Sequence, residues 1–289
     1  MASSNVRESH KLVKLSSNPD HYKRALEVAL ADRIKKLQAY CPEMAKYCMD
    51  SMETPPHVFR FLSMGSGNGQ VDVTLLGHLL DAYPKIEATI VEPSPSMNEA
   101  FKRLVGENPD SVGSVTFCWH QMTVEDFLKI HDGTKFHFIF MSGVISYLKD
   151  VEKVLIDSYG MLAEYGTIAI INVAKDSWFY HFLDAERFPG LGLDRVPSSD
   201  VIAVFESIPV KKTETQVIEG AMEITPIFDD SSTLGSTILD MLTHTCNFRE
   251  TAHPTLVADV LRYASESKLI TKEGDKICMK NHRDLIFVQ

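Results

Sequence analysis

The chain lacks the features that direct a protein to a membrane, a nucleic acid or an oxidising compartment. Within its 289 residues no apolar run approaches the ~18 needed to span a bilayer. No basic start followed by an apolar core opens it, so no secretory leader is expected. Cysteine is scarce: Cys41, Cys48, Cys118, Cys246 and Cys278 are odd in number and form no CxxC pair, which argues against a disulfide framework and a thiolate metal site. The 11 histidines are scattered without ligand spacing, and no metal is expected. Lys and Arg are nowhere concentrated and the net charge is −10, the wrong sign for a polyanion, so nucleic acid is not expected as a partner. Internal repeats, low-complexity tracts and Pro-, Gly- or Ser-rich linkers are missing too, leaving nothing to separate two independent domains. The expectation is one soluble, cytoplasmic unit.

What is present is an apolar content of 44%, enough for a full core, and one informative stretch. Residues 58–70, VFRFLSMGSGNGQ, are a short apolar run that breaks into Gly65, Gly67 and Gly69, and the next apolar run ends in an acid, Glu92. A strand that delivers its end into alternating glycines brings bare backbone to a nucleotide-like ligand, and a carboxylate beyond the second strand can accept hydrogen bonds from a ribose. A dinucleotide fingerprint would require a small residue where this chain has Gln70. The spacing points instead to S-adenosylmethionine, which carries a ribose and an amino acid tail but no phosphate.

Apolar periodicity organises the rest. Helical spacing fills 21–52, after which strands at 58–64, 86–92, 115–120, 136–141 and 167–173 alternate with helices at 71–83, 96–105, 124–130 and 151–162. Parallel strands need long crossovers, so this rhythm predicts an α/β fold with a doubly wound sheet. Beyond 176 the rhythm is lost: a helix at 200–206, one long strand at 213–224, helices at 234–246 and 254–265, and a terminal apolar run at 285–289. That run suits a strand inside the sheet beside the 213 strand. The chain divides into N-terminal helices closing a substrate pocket (1–57), a cofactor-binding Rossmann-like core (58–175), and a substrate-binding insertion with the last two strands (176–289), all in one globular unit.

The strings LSMGSGNGQVD, VEPS, FCWH, YLKD, RFP, TCNF and KEGDK, in this order and after a MASS start, resemble vertebrate histamine N-methyltransferases and their close paralogues over essentially the whole chain. The resemblance implies a class I methyltransferase fold of seven strands with the last antiparallel, a small imidazole substrate and a monomer. It also implies a pocket in which a glutamate, a glutamine and an asparagine grip the amine. Here the asparagine is retained as Asn281, the glutamine position falls on Gly143, and the glutamate falls in Arg33-Ile34-Lys35-Lys36, where no acid occurs. Cations in place of an acid reverse the charge complementarity for an ammonium. They suit a carboxylate, and some paralogues methylate carnosine, an imidazole dipeptide that bears one. Carnosine to anserine is therefore the preferred reaction and histamine the alternative, with Glu27 or Asp32 as its acid. An inactive cofactor-binding protein is the alternative of another class, and an oxidoreductase is disfavoured by Gln70.

Site residues follow from these two lines. Gly65, Gly67, Gly69 and Glu92 are expected at the cofactor, with Met97 packing at the adenine side, Thr123 and Val124 after the third strand, and Ser142 beyond the fourth. Tyr22, Arg33, Lys35, Gly143 and Tyr147 are expected around the substrate, together with an aromatic group, Trp178, Phe179, Tyr180, Phe182 and Phe248, that the resemblance casts as a cage. Asn281 is the expected catalytic residue, its side-chain oxygen accepting the ring N–H so that the opposite nitrogen faces the methyl group. A sulfonium leaves as a neutral thioether and needs no acid catalyst, so alignment carries the rate.

Overall fold

The computed structural model describes residues 12–182, 188, 191 and 196–289, and omits the side chains of 28–31. The MASS start, most of the RFP string and the side chains of Val28 and Leu30 lie outside the described residues. Two helices come first, α1 (Pro19–Ala39) and α2 (Cys41–Ser51); Asn18 caps the first by accepting from the His21 amide at 3.1 Å, with Pro19 at its opening position. The core then alternates as β1 (Phe59–Met64), α3 (Gln70–Leu80), β2 (Ile86–Val91), α4 (Pro95–Glu107), the short α5 (Pro109–Val112), β3 (Thr116–His120), α6 (Val124–Ile130), β4 (Phe136–Ser142), α7 (Val151–Gly160) and β5 (Leu162–Val173). Ser94, Thr123 and Asp150 cap α4, α6 and α7 through their side chains, so β2, β3 and β4 each lead into a capped helix.

Seven strands form one sheet in the order β3-β2-β1-β4-β5-β10-β6, where β6 is Thr213–Ile218 and β10 is Arg283–Val288. The first five are parallel, and β10 runs antiparallel between β5 and β6, Ile286 pairing with Ile170 on one side and Thr215 on the other. This is a class I methyltransferase Rossmann-like fold. Near-continuous burial along β1 and β4 reflects apolar cover on both faces. One core cluster, with Leu37, Met44, Leu76 and Phe101, lies under α1 to α4; another, with Val154, Leu155, Val201 and Phe205, lies under α7 and α9 (Ser198–Glu206).

The remaining elements form a third cluster beside the open end of the sheet: α8 (Trp178–Phe182), β7 (Ala221–Glu223), α10 (Thr233–Thr243), α11 (Phe248–Thr251), α12 (Pro254–Glu266), β8 (Ile270–Glu273) and β9 (Lys276–Lys280). Here the sequence reading needs two corrections. The long strand expected at 213–224 is two strands in two sheets: the chain turns at Gly220, and β7 joins β9 and β8 in a separate three-stranded sheet. The β8–β9 hairpin, turning at Gly274 with φ +61°, has no counterpart in the sequence reading, because Lys272, Glu273, Asp275 and Lys276 hide its apolar face. The interior position of the last strand agrees with its expectation.

Candidate functional site

The carboxyl ends of β1, β2 and β4 converge on a cavity of about 500 Å³ roofed by α1. Its floor is the glycine loop. The Gly65 amide donates to the Val91 carbonyl at 2.8 Å, tying the end of β1 to that of β2. At φ +69° a side chain here would be strained, and a Cβ would meet the Val144 methyl at 2.5 Å. Gly67 also has positive φ, +57°, but nothing lies within 4 Å of its missing Cβ, so its backbone is open to the cavity. Gly69 has a different job: it does not line the cavity, and a Cβ would strike the Phe101 ring at 2.2 Å, so it lets α4 close against the loop.

Glu92 ties the loop from the other side. Its Oε2 accepts from the Gly67 amide at 3.0 Å and its Oε1 from the Ser94 amide at 2.9 Å. Burial raises its pKa, and the two amides oppose the rise. Each oxygen keeps a further lone pair for a hydroxyl.

Of the residues expected from the sequence, the structure brings Tyr22, Arg33, Gly65, Gly67, Glu92, Met97, Ser142, Gly143 and Tyr147 to this one cavity. Tyr22 and Tyr147 share a hydrogen bond at 2.8 Å, and Tyr147 is 3.1 Å from His244 Nε2. The Tyr22 phenol is held well above its ordinary pKa by burial first and by Tyr147 next, with Arg33 opposing. Arg33 enters the wall from α1. Its Nε is buried without a hydrogen-bond partner, and among the described residues no carboxylate lies within 4 Å of it. Its Nη2 reaches within 3.2 Å of where a Cβ on Gly143 would stand. The guanidinium therefore occupies space that a side chain at 143 would need.

Other expected residues lie elsewhere. Lys35 lies on the outer face of α1, 77% exposed and 3.9 Å from Asp32, because two residues along a helix is half a turn. Trp178 and Phe248 are fully buried in the third core cluster and do not line the cavity; of the aromatic group, only Phe179 does. Thr123 spends its hydroxyl on the Asp126 amide at 3.2 Å, capping α6, and Val124 is buried in the core under that helix. Asn281 lines a small side cavity of about 20 Å³, whose wall of Arg33, Leu37 and Arg283 is shared with the main one; its Oδ1 is buried without a partner. Glu27 lines the main cavity half-exposed and 4.0 Å from Lys23, whereas Asp32 faces solvent.

Residues missed by the sequence reading stand beside these. Arg283 opens β10, is 7% exposed and places its guanidinium 5.5 Å from the Phe179 ring centre. His244 holds Tyr147 from a left-handed position, φ 54°, at the end of α10. Asp72, an acid inside the apolar run that begins α3, lies in the floor. A charge interrupting an apolar run was the available signal for Asp72; no signal marked His244. Among the described residues no group of three or more His, Cys, Asp or Glu could hold a metal, and no helix is long and apolar enough to cross a membrane.

Comparison with known proteins follows the same lines. A family profile described as a methyltransferase domain matches residues 62–170. The chain is 30% identical to mouse histamine N-methyltransferase over 240 residues, 80% of this chain and 81% of that one. It is 25% identical to chicken carnosine N-methyltransferase 2, with 84% and 81% covered. Among solved structures, the YcgJ protein of Bacillus subtilis superposes with a TM-score of 0.58 at 16% identity, over 86% of this chain and 97% of that one. The plantazolicin methyltransferase BpumL, in complex with a triazolic desmethylPZN analog and SAH, superposes with a TM-score of 0.51 at 12% identity, over 94% and 92%. S-adenosylmethionine is the cofactor, and the floor fits it: an open Gly67, the carboxylates of Glu92 and Asp72, and a Ser66 hydroxyl buried without a partner.

Proposed function

The chain belongs to the histamine N-methyltransferase family of S-adenosylmethionine-dependent enzymes, and on that premise we propose that it methylates a ring nitrogen of a small imidazole substrate bearing a carboxylate, carnosine in preference to histamine. The observation that carries this reading is Arg33, a buried guanidinium in the cavity wall with no carboxylate of the described residues within 4 Å and with Gly143 leaving it room. An arginine so placed favours a planar anion with which it can share two hydrogen bonds. An ammonium in the same place would meet a like charge.

The cofactor supplies an activated methyl group whose departure leaves a neutral thioether. The protein's part is then to hold and orient the imidazole, to exclude water and to accept a proton from the ring. Arg33 fixes the anionic end, Phe179 offers an aromatic face, and the phenols of Tyr22 and Tyr147 provide hydrogen-bonding groups along the wall. Asn281 contributes from the side cavity, where its unpartnered Oδ1 is available to an N–H donor. In this reading residues 1–57 cover the substrate, 58–175 hold the cofactor, and 176–289 supply the rest of the wall. A cytoplasmic monomer is the setting we infer from the family, with gel filtration as the check on size.

Histamine remains as a second reading because of Glu27, an acid at the cavity wall that could receive an ammonium. The deciding measurement is turnover with labelled cofactor on histamine, histidine, carnosine and homocarnosine, for the protein itself and for Arg33→Glu. The proposal expects carboxylated substrates to lead and Arg33→Glu to lose them while gaining histamine turnover. A strong preference of the unaltered protein for histamine overturns it, and cofactor binding without methyl transfer to any of the four would identify a non-catalytic relative.

A further inference from the structure

The cavity floor holds a second acid to which the methyl-transfer reading gives no specific partner. Asp72 is 3% exposed, at the start of α3 between the buried Val71 and Val73. It lines the cavity next to Ser63 and the glycine loop. Its Oδ1 is buried without a hydrogen-bond partner, and among the described residues no Lys, Arg or His nitrogen lies within 4 Å of the carboxylate. A buried acid with no cation in the protein is costly. A cation arriving with the ligand resolves that cost.

S-adenosylmethionine carries two positive groups, the sulfonium and the α-ammonium of its amino acid tail. Glu92 has both oxygens on loop amides, Gly67 and Ser94, as suits the ribose. Asp72 lines the same cavity beside Ser63, at the end of β1. A sulfonium has no N–H to give, whereas an ammonium brings three donors to an acid with an oxygen to fill. We propose that Asp72 is the counter-ion of the cofactor's α-ammonium and that cofactor binding displaces a proton from its carboxyl to solvent.

The groups packed around Asp72 agree with that exchange. Burial pushes its carboxyl up to about 7, helped by the charge of Glu92 and opposed by the Ser63 hydroxyl and its own amide. Cys41 faces it from α2 with a thiol pushed up to about 12, hence neutral; Arg33 from α1 lines the same cavity. The ligand-free site therefore holds a partly protonated acid near neutrality, and the ammonium selects its ionised form. The inference rests on the cofactor alone, so a failed imidazole panel leaves it standing.

Isothermal calorimetry with S-adenosylhomocysteine and 5′-methylthioadenosine, which lacks the amino acid tail, tests it. Asp72→Asn should weaken S-adenosylhomocysteine about 30-fold or more and leave methylthioadenosine within about threefold. For the unaltered protein at pH 7, the binding enthalpy of S-adenosylhomocysteine should vary with the ionisation enthalpy of the buffer, that of methylthioadenosine much less. This second measurement needs no variant and stands if Asp72→Asn fails to fold. Equal losses for both ligands, no loss for either, or equal proton release by both would overturn the proposal. So would a loss for S-adenosylmethionine far exceeding that for S-adenosylhomocysteine, which would put the carboxylate at the sulfonium.

Discussion

In the proposed function, specificity comes down to a pair of residues. Arg33 and Gly143 are far apart in sequence, yet the guanidinium lies 3.2 Å from the vacant Cβ position. Gly143 also sits at φ +67°, so any side chain would be strained before meeting Arg33. Gly143→Ala should push the guanidinium out of register and lower kcat/KM for carnosine by about tenfold, roughly 1.4 kcal/mol. The affinity for S-adenosylhomocysteine should stay within about twofold, which calorimetry on the same sample would show. An unchanged kcat/KM would mean that the Arg33–Gly143 contact does not position substrate. At this scale the sequence was readable in chemistry and less so in direction: a cation-rich stretch replacing an acid was visible, but only the turn of α1 shows that Arg33 faces inward and Lys35 outward. The same holds for Thr123, Trp178 and Phe248, whose types suited a ligand but whose side chains are engaged in a cap and a core.

Among the elements, the alternating half was legible and the insertion was not. β1 and β4 are near-continuous apolar runs that end at glycines, and β2 and β3 lead to the helix caps Ser94 and Thr123, signals that local sequence carries. The break between β6 and β7 depends on a tertiary contact instead. At Gly220 the chain passes so close to Asn281 that a Cβ would come within 2.4 Å of the Asn281 carbonyl, whose amide donates to the Gly220 carbonyl at 2.7 Å. No window of 213–224 contains that information. Gly220→Ala should therefore act at a distance. It should cost about 1–3 kcal/mol in urea unfolding as overpacking, and move the segment that leads into Arg283, so carnosine KM should rise more than KM for the cofactor. Equal changes in both would show only a general loss of stability. The β8–β9 hairpin escaped notice for a simpler reason: its exposed strands carry as many charges as a loop would.

For the molecule as a whole, the cavity separates two kinds of cost. Core burial stabilises the fold whether or not ligand is present, but the acids of the floor do not. Asp72 sits at about 7 and Glu92 is also raised, both chiefly by burial. An acid whose folded value lies above its unfolded one contributes stability that is complete below the unfolded value and is lost as pH rises through the folded one. The ligand-free protein should thus lose stability between about pH 4 and 7 from these groups, and a cationic ligand that pairs with the ionised floor should restore it. Saturation at about 100 times Kd adds about 2.7 kcal/mol at any single pH. At a fixed ligand concentration, however, the gain depends on a Kd that tightens as Asp72 ionises. Melting curves with a fixed excess of S-adenosylhomocysteine should therefore show a larger rise in Tm at pH 8 than at pH 5, and Asp72→Asn should flatten that difference while raising the ligand-free Tm at pH 8. A rise in Tm independent of pH would show that the floor is already ionised in the empty protein, and that its acids are held by the loop itself instead of waiting for the cofactor.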